Sequence, residues 1–145
     1  ALPPEAPCPT LEGPGTTSFW RRRQVHETAV HLWDLRTAAG LPVEVPDRVW
    51  RDGVAEVVDV MQPRQVRLHR MAPLERSITL VDSSSADRWV LGGHDGAAQP
   101  STTVVGPADA LALLLWGRLE GDSPALSVDG DAGALEAALR EPLTP

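Results

Sequence analysis

The chain contains no lysine, asparagine or tyrosine, and only one residue each of cysteine (Cys8), isoleucine (Ile78) and phenylalanine (Phe19). A single cysteine excludes an internal disulfide, which fits a reducing compartment and sets the expectation of a cytoplasmic protein. The scarce residues other than cysteine share AT-rich codons, so their joint depletion points to a GC-rich genome rather than to a demand of the fold. No apolar run approaches the roughly 18 residues needed to span a bilayer. The longest, residues 108–116, is interrupted by Asp109, and no membrane partner is expected. All thirteen basic residues are arginine, and twenty acidic residues outweigh them to give a net charge of −7. With a pI near 5.0, binding to nucleic acid by phosphate neutralisation is excluded as a leading function.

What is present is the material of an ordinary folded domain. The 145 residues are 42% hydrophobic and 23% charged, enough for one sizeable core or for one domain plus part of another. Residues 1–18 are dense in Pro, Gly and Thr with no helical or strand period, and are expected to form an extended lead-in. Residues 18–39 give the strongest helix signal, with Ser18 as cap, Gly40 at the C′ position and Pro42 beyond. Phe19, Ala29, Val30, Trp33 and Ala38 supply apolar positions, and Phe19, Val30 and Trp33 are expected to leave a surface that demands a partner. A second helix is expected over Asp47–Met61, ended by Gln62-Pro63.

Beyond Pro63 the pattern turns to short β-like runs at Val66–Arg70, Ser77–Asp82, Arg88–Gly92 and Thr102–Gly106. An apolar helix follows, opened by Pro107-Ala108-Asp109, running to Arg118 and stopped near Gly121. Leu126–Val128 reads as a further strand and Asp131–Arg140 as a closing helix. This order predicts an α+β domain over residues 63–145, a connecting helix in 41–62, and a separate helical piece in 1–40. Val66, Leu68, Ile78, Leu80, Trp89, Val104, Leu114 and Val128 are its expected buried residues. The tryptophans Trp20, Trp33, Trp50, Trp89 and Trp116 are expected core anchors.

Chemistry concentrates in the first helix. His26-Glu27 followed by His31 looks like the zinc-protease pattern H-E-x-x-H, but that motif needs its histidines four apart. Here they are five apart, which places them about 140° apart around the helix. Glu27 and His31 are four apart and share a face, with Asp34 three residues further on. A carboxylate and an imidazole converging from one helix make half a site for zinc or a similar divalent ion. The plainer alternative is an exposed i, i+4 pair. His69 and His94 are more simply structural, Arg21-Arg22-Arg23 a solvated face, and Cys8 lacks a neighbour that would activate its thiol.

The run from Phe19 to Asp34 (FWRRRQVHETAVHLWD) resembles the mycothiol-dependent maleylpyruvate isomerase family of actinobacteria. So do Asp52–Val57 (DGVAEV), Leu113–Arg118 (LLLWGR) and Val128–Asp131 (VDGD). The resemblance implies a DinB-like four-helix bundle followed by a sterol-carrier-like α/β domain, with this chain covering the C-terminal portion. It implies Glu27 and His31 as metal ligands, the other protein ligand being a histidine on an early bundle helix. Residues 1–39 then correspond to the tail of a bundle whose first three helices are absent, to be supplied by that segment or by a homo-oligomer partner. The implied cofactors are a divalent metal, zinc first, and mycothiol; the implied partner is a small-molecule acid. Arg118 is the candidate catalytic residue, holding the acid's carboxylate, against the alternative of a cation at a helix C-terminus. The implied activity is isomerase or thiol transferase with the substrate open, and the competing function is a non-catalytic metal-binding or apolar-ligand-binding module.

Overall fold

The structure, a computed structural model, describes residues 2–93 and 99–145; His94 lies outside the described residues. The chain divides into two units, Ala1–Val49 and Trp50–Pro145, each with its own internal packing.

In the first unit the proline-rich lead-in is not merely extended. It folds into a hairpin of β1 (Pro7–Thr10) and β2 (Gly13–Thr16), paired antiparallel with Thr10 opposite Gly13. Three prolines hide this ribbon from pattern reading, yet a two-stranded ribbon has two edges, where a missing N–H goes unnoticed. Its turn is held by the Thr10 hydroxyl donating to the Gly13 carbonyl at 2.9 Å. Helix α1 (Thr17–Ala38) follows directly. Ser18 does not cap it. The N-cap is Thr16, with no side-chain cap, and the first N–H groups instead donate to lead-in carbonyls, Thr17 to Ala6 at 3.0 Å and Ser18 to Pro4 at 2.9 Å. At the other end Gly40 (φ +67°) takes the left-handed position, with Gly40 N–H on Thr37 and Leu41 N–H on Arg36. The large apolar side chains that α1 exposes are Trp20, Val25 and Leu35, not the expected trio: Val30 is buried, and Phe19 and Trp33 are half-buried.

The second helix does not stop at Gln62-Pro63. Helix α2 (Asp47–Glu56) runs into a π-helical turn, Val57–Met61, and then into α3 (Gln62–Arg67). In the wider turn Gln62 N–H reaches back to the Val57 carbonyl, and Pro63 arrives in the first turn of α3, where no N–H is required of it. Val66–Arg70 is therefore not a strand. It is the end of α3, closed by His69 in the left-handed position (φ +55°) with Arg70 N–H on Gln65 and His69 N–H on Val66. Val66 is half-buried and Leu68 is exposed.

The remaining strands fall close to expectation. β3 (Arg76–Asp82), β4 (Arg88–Leu91), β5 (Gln99–Gly106) and β6 (Ser127–Gly130) form a sheet in the order β4-β3-β5-β6. β3 and β5 are parallel and the flanking pairs antiparallel. Helices α4 (Ala108–Leu115) and α5 (Ala132–Leu139) pack on β3 and β5. Ile78, Leu80, Val104 and Leu114 are buried as their pattern predicts, whereas Trp89 and Val128 are half-buried. Of the tryptophans only Trp50 and Trp116 are fully in the core. Every side chain from Leu111 to Leu115 is buried, so the apolar helix fills the core. α4 ends before Arg118, at a turn where Gly117 (φ +66°) donates to Leu114 and Arg118 N–H to Leu113.

The Val128–Asp131 segment has a physical reason for its glycine. Gly130 (φ +104°) passes so close to β5 that a Cβ there would lie 2.2 Å from the Ser101 carbonyl oxygen. That approach lets Asp131 N–H donate to Ser101 and Thr102 Oγ1 donate to the Asp131 carbonyl at 2.7 Å. Asp131 then caps α5 by accepting from Ala134 N–H.

Candidate functional site

Helix α1 lays four polar residues along one line: Arg23, Glu27, His31 and Asp34. Spacings of four, four and three keep them on neighbouring turns of one face. Glu27 Oε2 stands 3.7 Å from His31 Nε2. On the far side of the imidazole, Asp34 Oδ2 stands 3.2 Å from Nδ1. On the far side of the carboxylate, the Arg23 guanidinium donates to Glu27 Oε1. Exposure rises from 7% for the Arg23 side chain to 28% for Glu27 and 65% for His31, then falls to 35% at Asp34.

The pair fits a divalent ion. Two atoms each about 2.0–2.2 Å from one ion stand no more than about 4.4 Å apart, and the observed separation is inside that limit. An imidazole whose other nitrogen faces a carboxylate is also the arrangement that fixes ring orientation in metal sites. Asp34 is thus placed behind His31 rather than beside it. Among the described residues no group of three or more His, Cys, Asp or Glu is gathered to hold an ion. Glu27 and His31 offer two donor atoms, not a full shell.

His26 behaves as the five-residue spacing requires. It is buried at 2% exposure while His31 is open to solvent, so the two histidines do not share a face. Arg118 Nη1 donates to the Trp116 carbonyl at 2.7 Å, at the end of α4. His69 terminates α3, and Cys8 is half-buried within β1. The arginine triplet is not a uniformly solvated face: Arg21 is exposed, Arg22 is intermediate and Arg23 is buried. The i, i+4 spacing of Arg23 and Glu27 is the sequence signal that marks their ion pair.

A second polar cluster carried no local signal at all. Asp82, at the end of β3, is 0% exposed and accepts from Arg51 Nε of α2 at 2.6 Å. It also accepts from Ser84 N–H at 3.0 Å and from the Ser84 and Ser85 hydroxyls at 2.9 and 2.8 Å. Burial alone pushes such a carboxyl up; the Arg51 guanidinium and the serine donors favour the charged form and hold Asp82 well below the usual carboxylate range. The cluster ties α2 to the β3–β4 turn.

Comparison with known proteins identifies the family of the chain. Residues 48–137, more than half of the chain, match the family described as the MDMPI C-terminal domain. The chain belongs to the mycothiol maleylpyruvate isomerase family. Residues 1–36, which contain the Arg23–Asp34 row, match the mycothiol maleylpyruvate isomerase N-terminal domain. Among solved structures, a crystal structure of a histidine-to-alanine mutant of a mycothiol-dependent maleylpyruvate isomerase matches with a TM-score of 0.59 at 18% identity. The match covers 87% of this chain and 47% of that one, so the chain spans about half the length of the isomerase it resembles. At that identity the likeness speaks for the α+β fold. Comparison with curated protein sequences gives no significant match. Among the described residues no helix is long and apolar enough to cross a membrane.

Proposed function

We propose that this chain supplies two protein ligands, Glu27 and His31, to a divalent metal in a mycothiol-dependent isomerase or thiol transferase acting on a small unsaturated acid in the cytoplasm. The observation that carries the reading is the 3.7 Å approach of Glu27 Oε2 to His31 Nε2, with Asp34 at the other nitrogen of the ring. Zinc suits this donor set of one imidazole and one carboxylate. On this reading the remaining protein ligand comes from an earlier bundle segment or a second copy, since the described residues gather no third donor at this site. When bound, the ion supplies the chemistry of holding a coordinated thiol as thiolate at neutral pH.

The chain's own residues then have distinct tasks. Asp34 keeps His31 Nδ1 occupied and so presents Nε2. Arg118 spends one N–H on the Trp116 carbonyl, which orients its planar fork, a shape suited to a substrate carboxylate. Full-length protein is expected to carry one divalent ion per chain, and the Glu27→Ala, His31→Ala double variant almost none. Thiol-dependent turnover of an unsaturated acid should fall with it by at least about 100-fold. His26→Ala should lower stability, because the ring is buried, and leave the metal in place. Metal analysis of the purified variants checks this, and full stoichiometry in the double variant would defeat the assignment.

A further inference from the structure

We infer that Arg23 is a positioning residue that holds Glu27 to one-oxygen ligation; this rests on the metal-site reading above. Most i, i+4 ion pairs on helices are solvated and contribute little. The chain contains such a pair for comparison: Arg140, at the C-cap of α5, and Glu136 within it meet at 3.0 Å with side chains 74% and 66% exposed. Arg23 and Glu27 have the same spacing, but the guanidinium is 7% exposed. Burial of a guanidinium is costly unless its partner is well placed. Helix electrostatics do not explain the choice either, since an acidic residue four positions before a basic one is the better order, and here the order is reversed.

The geometry supplies a reason. Arg23 occupies Oε1 of Glu27 from the buried side, which leaves Oε2 turned toward His31 Nε2. Asp34 does the same to His31, taking Nδ1 and leaving Nε2. Each ligand therefore presents one atom, and each is held by a partner on the same helix. Of the two holders, Arg23 is the buried one and so the less free to wander.

The experiment is a zinc titration of full-length protein in competition with a chromophoric chelator, with no thiol or acid present, alongside thermal melts of the metal-free protein. Arg23→Ala and Arg23→Met, the second keeping an apolar stem without donors, should weaken zinc binding by about 10–100-fold. Arg23→Lys, which retains one charged donor, should restore binding to within about threefold of the parent. A merely structural arginine would lower the melting temperature and leave zinc affinity unchanged. A folded Arg23→Ala or Arg23→Met protein with parental zinc affinity overturns the inference. Parental affinity in Glu27→Ala as well would instead overturn the metal-site reading beneath it.

Discussion

Truncating Arg51 to alanine is expected to destabilise the protein by about 3–5 kcal/mol at neutral pH, because it strands a buried carboxylate. Asp82 is fully buried and ionised, and the serines around it lower the cost of that charge without cancelling it. The reverse truncation, Asp82→Ala, should cost less, since it leaves a guanidinium already 29% exposed and able to reach water. The pH dependence follows from the direction of the shift. A carboxyl held below its ordinary value stabilises fully above about pH 3.9 and loses that contribution as pH falls below it. Asp82→Asn cannot titrate and should flatten the acid limb of stability against pH. Denaturant titrations of these variants from pH 7 to pH 2 check the order and the slope. Equal costs for the two truncations would mean that burial of Asp82 does not govern the pair.

Gly130→Ala is expected to cost about 2–5 kcal/mol, adding an unfavourable positive φ to an overpacked contact. The obstacle is backbone, since the new Cβ would lie 2.2 Å from the Ser101 carbonyl oxygen, and β5 cannot yield without losing its pairing. The loss should extend to α5, whose cap residue Asp131 is joined to Ser101 and Thr102 through the same close approach. Gly117→Ala is the control. It shares a positive φ but has nothing within 4 Å of its Cβ, so it should cost only about 1–2 kcal/mol. Against a typical total of 5–15 kcal/mol, the two are readily separated by chemical denaturation.

What could be read from sequence was what the chain settles locally. Glu27, His31 and Asp34 lie within eight consecutive residues of one helix, so their spacing alone brings them to one face. Gly40 was legible because a left-handed residue after a helix is a backbone requirement, independent of tertiary context. β3 and β5 were legible through β-branched residues between turn clusters. The failures have equally specific causes. Val66–Arg70 alternates over a span too short to distinguish a strand from the last turn of a helix. Pro63 misled because a π-helical turn shifts the hydrogen-bond register ahead of it. The Arg51–Asp82 pair joins residues 31 apart and leaves no periodic trace. Arg23 stood at a legible distance from Glu27, but burial is not a local property, and only the fold distinguishes it from Arg21.

Joint binding of one ion by Glu27 and His31 is checked by anomalous scattering at the zinc edge, from crystals of full-length protein grown with zinc. One strong peak is expected within about 2.0–2.2 Å of both Glu27 Oε2 and His31 Nε2, with Arg23 and Asp34 outside the coordination shell. A zinc peak bound by neither residue, or none near them at saturating zinc, would contradict it.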